Sequence, residues 1–293
     1  MSVDILQEKI RKTKNPSVVE LCLAAADLPS YLVEEEGSAP KAYSRFCTEL
    51  LTGLKGIVPA VRFSFASFAL MGNGGLNALQ EAMLVARELK YYVLLDAPEL
   101  LSPKAAAMTA EAIWGERSTY PCDGLVISGY LGSDIIKPFL KFYEEGKKDL
   151  FVVARTANKS APELQDLLAG GRLVHAAAAD HVNRYGKETA GKYGYTRVGI
   201  VGAASAAESL RSLRVKYPKL FFLVDGYDYP NANAKNCSFA FDKFGHGAAV
   251  CSGTGITCAW MEAEDSNGRN FKEHAITAAE RMKKNLTRYT TVL

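Results

Sequence analysis

Eight short apolar runs, separated by stretches of helical period, constrain this 293-residue chain more than any other feature. They lie at 18–25, 57–65, 91–96, 124–128, 150–154, 197–201, 220–225 and 248–252. Runs this short and this predominantly apolar read as strands buried on both faces, which is the condition of a parallel sheet covered by helices. Between two of them Leu76, Leu79, Met83, Ala86 and Leu89 fall on one helical face. Helices are also expected over 41–52, 102–114, 135–145, 161–168, 173–193, 206–217 and 271–286. Only 225–248 reads as a long loop with at most a short helix, and its Tyr227–Tyr229 segment is an aromatic surface suited to a protein contact or a ligand lid.

Eight strands alternating with helices predict an α/β protein, a (β/α)8 TIM barrel, over an open doubly wound sheet. No G-x-G-x-x-G follows the first strand, which weighs against a dinucleotide fold. No linker or long repeat divides the chain, so 1–293 is read as one domain. It carries a helical N-terminal extension over about 1–16 and a C-terminal helix over about 271–288.

Composition narrows the partners. A net charge of +3 is too small to imply nucleic acid, and no apolar run approaches the ~18 residues of a membrane span. The basic residues are nonetheless crowded, with Lys9, Arg11, Lys12 and Lys14 near one terminus and Arg281, Lys283, Lys284 and Arg288 near the other. Solvated helix faces are the bland account; a joint patch for an acidic partner is the sharper one. Six cysteines without a C-x-x-C pair and no secretory signal suggest a reduced, intracellular, cytoplasmic protein. The histidines, His175, His181, His246 and His274, are dispersed, and His175 and His181, six apart, are poorly spaced to share one helical face, so no metal site is expected.

A barrel of this kind places its chemistry at the C-terminal strand ends. Those ends read Leu23-Ala-Ala-Ala-Asp27, Arg62 with Ser64, Asp96-Ala-Pro98, Ser128-Gly-Tyr-Leu-Gly132, Arg155-Thr-Ala-Asn158, Gly202-Ala-Ala-Ser205, Asp225-Gly-Tyr-Asp228 and Ser252-Gly-Thr-Gly255. No Ser-His-Asp arrangement can be read among them; Ser205 and Ser252 look like packing or loop residues.

The blocks Leu89-Lys-Tyr-Tyr-Val-Leu-Leu-Asp-Ala97, Gly129–Gly132, Arg155–Leu167, Phe222–Gly226 and Gly247–Ile256 resemble the orotidine 5′-phosphate decarboxylases, in the longer subgroup of bacteria and protists. The resemblance runs from about residue 21 to about 256 and is most specific in 155–167. It implies a homodimeric barrel acting without metal or organic cofactor. In that family an Asp-x-Lys-x-x-Asp motif after strand three and a Lys on strand two carry the decarboxylation. The ammonium stabilises and protonates the carbanion left at the pyrimidine C6.

The corresponding run here is Asp96-Ala97-Pro98-Glu99-Leu100-Leu101, so Pro98 stands for the catalytic Lys and Leu101 for the second Asp. Arg62 stands for the strand-two Lys, keeping the charge without being a proton donor near neutral pH. Ala26 stands for the ribose-binding Asp, and Pro230 and Thr254 for the phosphate-gripping Gln and Arg. Lys104, six residues beyond Pro98, is a poor substitute on the following helix.

The expectation is therefore a pseudoenzyme, a structural or interaction subunit of a larger assembly, with no catalytic residues left at Ala26, Arg62, Asp96, Pro98 and Leu101. Asp96 is expected to pair with Arg62, and Arg155 with Thr156 to support the loop above. A nucleotide- or anion-binding module or an enzyme of altered chemistry is the alternative, using Arg62, Asp96, Asn158, Gly253, Thr254 and Gly255. Residual decarboxylase activity is the third reading.

Overall fold

The computed structural model describes residues 2–98, 100–146, 148–263 and 267–292. Among the described residues ten strands occur in chain order: β1 (Ser17–Leu21), β2 (Ala60–Ser64), β3 (Tyr92–Asp96), β4 (Gly124–Ser128), β5 (Asp149–Val153), β6 (Leu168–Ala169), β7 (Arg172–Leu173), β8 (Thr196–Ala203), β9 (Leu220–Asp225) and β10 (Ala248–Ser252). β6 and β7 form a separate hairpin. The other eight close in the order β1-β10-β9-β8-β5-β4-β3-β2, every neighbouring pair parallel, into the expected (β/α)8 barrel.

Alternation along each strand divides the core in two. One set of side chains, including Val18, Ala60, Tyr92, Leu94, Val126, Phe151, Val201, Phe221, Leu223, Ala249 and Cys251, fills the barrel axis. The other, including Val19, Val61, Phe63, Val93, Leu95, Leu125, Ile127 and Phe222, packs outward against the helices. Lower on the axis Asp149 is fully buried, pairing with Arg197 (3.3 Å) and accepting from the Tyr92 hydroxyl (2.5 Å). A buried carboxylate with both partners in place is tolerable; one left alone is not.

Helix Ser2–Thr13 covers the N-terminal end of the barrel, burying Val3, Leu6 and Ile10 against the axial cluster. Asp4 fixes it there, its carboxylate accepting the backbone N–H groups of Lys192 (3.1 Å) and Tyr193 (3.3 Å). Helix Phe271–Thr287 returns beside it: the Lys283 ammonium donates to the Thr13 carbonyl (2.8 Å). No helix among the described residues is long and apolar enough to cross a membrane.

Three helical expectations are corrected. The helix expected over 161–168 is a single turn of 3-10 helix, Ala161–Glu163, leading into the β6–β7 hairpin. Side chains compete for the segment: the Gln165 side-chain Oε1 accepts the Thr156 N–H (2.8 Å), and Asp166 takes the Arg155 guanidinium (2.9 and 3.0 Å). The helix expected over 173–193 ends at Gly186, because the chain must turn back into β8 through Gly194, at φ +84°. The segment 135–145 is broken into Ser133–Ile136, a 3-10 turn Lys137–Phe139 and Lys141–Gly146, with Pro138 unable to donate an i→i−4 bond. The first two strands are also shorter than the apolar runs that suggested them.

Phe221 lies fully buried on the axis, in edge contact with Phe151 (centroids 6.0 Å) and Tyr195 (6.0 Å). Phe221→Ala is expected to lower the unfolding free energy by about 3–5 kcal/mol, read from urea melts; a loss under about 1 kcal/mol would mean that the axis is not packed as described.

Candidate functional site

The upper axis of the barrel ends in charge. Parity brings Glu20 of β1, Arg62 of β2, Asp96 of β3 and Asp225 of β9 to one level at the C-terminal mouth. The buried Arg62 guanidinium donates through Nε to Asp96 Oδ1 (2.6 Å) and through Nη1 to Asp225 Oδ1 (2.5 Å), with Glu20 Oε1 at 3.9 Å. Cys251 Sγ lies 3.9 Å from Nη1. The Arg62–Asp96 pair expected from the sequence is present.

One guanidinium faces three carboxylates, and the proton affinities follow. Burial pushes the Glu20 carboxyl up to about 7, its neighbours Asp225 and Asp96 adding to the rise against the pull of Arg62. Burial likewise raises Asp96, although Arg62 opposes it. Desolvation alone would lower Arg62, but Asp225, Asp96 and Glu20 outweigh it and hold it well above its ordinary value. Burial also raises the thiols of Cys22 and Cys251, so neither resembles an activated nucleophile.

Above this cluster opens a cavity of about 340 Å3, lined among others by Glu20, Cys22, Asn158, Asp225, Asp228 and Thr254. Asn158 reaches it, but its side chain is engaged with Thr156 (2.5 Å) and Ser160 (2.9 Å). No lysine or arginine is among the lining residues.

The Gly253-Thr254-Gly255 turn does form a cradle of amides at the end of β10, and a side chain already sits in it. Asp228 Oδ2 accepts from Gly253 N (2.7 Å) and Gly255 N (3.3 Å), while Oδ1 accepts from the Ser252 hydroxyl (2.7 Å). A Cβ on Gly255 would stand 2.3 Å from Asp228 Oδ1, so this close approach requires glycine.

The remaining candidates scatter. Ala26 is exposed in the 3-10 turn Ala25–Asp27, Pro98 is half-buried after β3, and Leu101 is 72% exposed. Glu99 lies outside the described residues. Lys104 is exposed in the first turn of helix Pro103–Trp114, capped by Ser102, and does not line the cavity. Arg155 is buried, bound to Asp166 and to the Thr156 carbonyl, so it braces the loop as expected. His175 joins the same brace through Asp166 (3.1 Å). Among the described residues no group of three or more His, Cys, Asp or Glu could hold a metal ion.

Sequence reasoning missed Glu20 and the position of Asp228. Glu20 had a readable signal, a carboxylate two residues from Val18 on the axis-facing parity of a buried strand. Asp228 had none, because its partners lie 24 to 27 residues further along the chain.

A closed parallel barrel with a polar cluster and a cavity at its C-terminal mouth belongs to the architecture in which enzymes keep their active sites. The comparisons narrow this class. An orotidine 5′-phosphate decarboxylase of Rhodopirellula baltica is 30% identical over 237 residues, covering 80% of this chain and 78% of that protein. One of Petrotoga mobilis is 26% identical over 288 residues, covering 98% of both. The crystal structure of the Plasmodium berghei orotidine 5′-monophosphate decarboxylase superposes with a TM-score of 0.75 at 15% identity, over 97% of this chain and 98% of that one. No family model matches the chain. The chain belongs to the orotidine 5′-phosphate decarboxylase family.

Two outcomes test the mouth. Arg62→Met should lower stability at pH 8 by about 3–5 kcal/mol, because it leaves three carboxylates together without a cation. Acidification should recover part of that loss; a pH-independent loss in urea melts would show that packing alone is at stake. Glu20 works in the opposite sense. Its folded proton affinity is raised, so its contribution falls as pH rises from about 4.5 to about 7 and is least favourable above that. Glu20→Gln should therefore stabilise the protein at pH 8 by on the order of 2 kcal/mol and leave it nearly unchanged at pH 5. Equal gains at both pH values would contradict the raised affinity.

Proposed function

We propose that this barrel is a non-catalytic member of its family, a structural or interaction subunit that has lost orotidine monophosphate decarboxylation. The observation that carries the reading is the mouth itself. Its cavity is lined by Glu20, Asp225 and Asp228 without a cation, and the arginine beneath is engaged by Asp96 and Asp225. A substrate bearing a carboxylate and a phosphate meets like charge there, and Arg62, held through Nε and Nη1 by Asp96 and Asp225, has no proton to give near pH 7. Family positions that would supply an ammonium and a second carboxylate are Pro98 and Leu101, and the amides that would meet a phosphate are taken by Asp228. The same occupancy speaks against the anion-binding alternative through Gly253, Thr254 and Gly255.

The loops around the mouth support an interaction role. Leu101 (72% exposed), Leu131 (54%), Leu164 (55%) and Leu168 (75%) stand in water on the segments that follow β3, β4 and β5. Exposed leucines gathered on one end of a barrel suit burial against a protein, and a second copy of the chain is the occupant the family resemblance implies.

Titration calorimetry with UMP should give no heat beyond dilution up to millimolar ligand, and orotidine monophosphate should lose CO2 no faster than in buffer. Micromolar UMP binding would overturn the loss of the site, and decarboxylation above background would restore the enzyme reading.

A further inference from the structure

The opposite end of the barrel carries the reverse charge. Helices Ser2–Thr13, Ala39–Leu54 and Gly72–Glu88 all finish at this rim, around a second cavity of about 330 Å3. Lys9, Lys12, Lys55 and Lys90 stand around it, and Val58, Pro59, Leu89 and Tyr91 give it an apolar floor. The Lys283 ammonium reaches the Thr13 carbonyl at the edge. Cations at helix C-termini are ordinarily explained by the helix dipole, which places about half a negative charge at each end. Three ends supply about −1.5 against four lining ammoniums, and no carboxylate lines the cavity. Among the described residues Lys12, Lys55 and Lys90 form no ion pair, whereas Lys9 donates to the Lys90 carbonyl. Asp123 and Glu8 lie near Lys9, but Asp123 accepts the Val93 N–H (2.9 Å) and Glu8 pairs with Lys192.

Backbone strain marks the same rim. Helix Gly72–Glu88 closes with Lys90 N on the Arg87 carbonyl (3.0 Å) and Tyr91 N on the Ala86 carbonyl (3.0 Å), a Schellman ending whose left-handed residue is Lys90 at φ +68°. Helix Ser2–Thr13 ends in the same way, with Lys14 at φ +49°. Glycine is the usual occupant of both positions, and a lysine there is held at a conformational cost. Holding charge at a strained position is what a binding rim would require.

We propose that this N-terminal rim docks an acidic protein segment, seating one large apolar side chain on Val58, Pro59, Leu89 and Tyr91 while carboxylates on either side meet Lys12, Lys55 and Lys90. It rests on the reading of the chain as an interaction subunit and names the chemistry of one partner. A compact phosphate fits less well. The rim presents helix carbonyls where a phosphate needs amide donors, and its cations are dispersed point charges without an arginine fork. Carboxylates spaced along a peptide match dispersed ammoniums, and the apolar floor needs a side chain to cover it.

The probe is a fluorescein-labelled, glutamate-rich peptide carrying one phenylalanine, followed by anisotropy on the full chain. Wild-type protein should bind it in a salt-sensitive way. Replacing the peptide phenylalanine by alanine should weaken binding about tenfold. Lys90→Gly should weaken it by a similar factor while raising the melting temperature, since glycine relieves the left-handed residue. Loss of affinity with gain of stability cannot come from misfolding, and Lys55→Ala, at an exposed position, gives an independent check. The proposal is overturned if the peptide does not bind, or if neither variant changes its affinity. It is also overturned if tripolyphosphate displaces the peptide and the phenylalanine makes no difference, which would define an inorganic anion site. None of these results touches the UMP titration, which reads the other end of the barrel, so the two readings fail separately.

Discussion

A single guanidinium, buried where the barrel opens, sets the chemistry of this protein's mouth. Arg62 holds Asp96 and Asp225 directly and Glu20 at longer range, tying β1, β2, β3 and β9 together across the axis. Three carboxylates and one cation cannot all be ionised without a net charge of −2 in a poorly solvated place. The strain is relieved by protonation, and Glu20, which is furthest from Arg62, is the group that keeps a proton to near neutral pH. The cluster thus ties four strands together while leaving a surplus of carboxylates at the mouth.

That balance connects fold to function. An active site for a carboxylated phosphomonoester needs positive charge preorganised toward the reacting group. Here the guanidinium is engaged, Pro98 offers no charge, and Asp228 fills the amides of the Gly253-Thr254-Gly255 turn. Together they make the mouth an acid-lined recess. The other end of the barrel is its electrostatic opposite, with lysines around an apolar floor. The two ends of the barrel therefore differ in charge while sharing one intact core.

Much of this was legible in advance because the relevant signals are local or periodic. Apolar runs of strand length located the barrel strands, and the regular recurrence of helical segments between them implied closure. The Arg62–Asp96 contact followed from two strand ends adjacent in the sheet. Errors gathered where side chains compete with backbone periodicity: Gln165 and Asp166 pull 161–168 out of a helix, and Pro138 breaks 135–145. Leu101 and Leu168 are apolar, yet both face water. Residue type does not say which apolar side chains a fold leaves uncovered.

The sequence by itself determined the architecture, since two-face burial of eight short runs has few solutions. Through Pro98 and Leu101, it also raised the expectation that the family's Lys and second Asp are replaced. Tertiary structure alone decided the electrostatics. Glu20 became a near-neutral titrating group because closure placed β1 beside β2 and the level of β9 across the axis. Asp228 became the occupant of the amide cradle because the β9 and β10 loops meet. The lysines of three helices became one rim because their C-termini converge. Charge interactions depend on distance and solvent access, and neither is written along the chain.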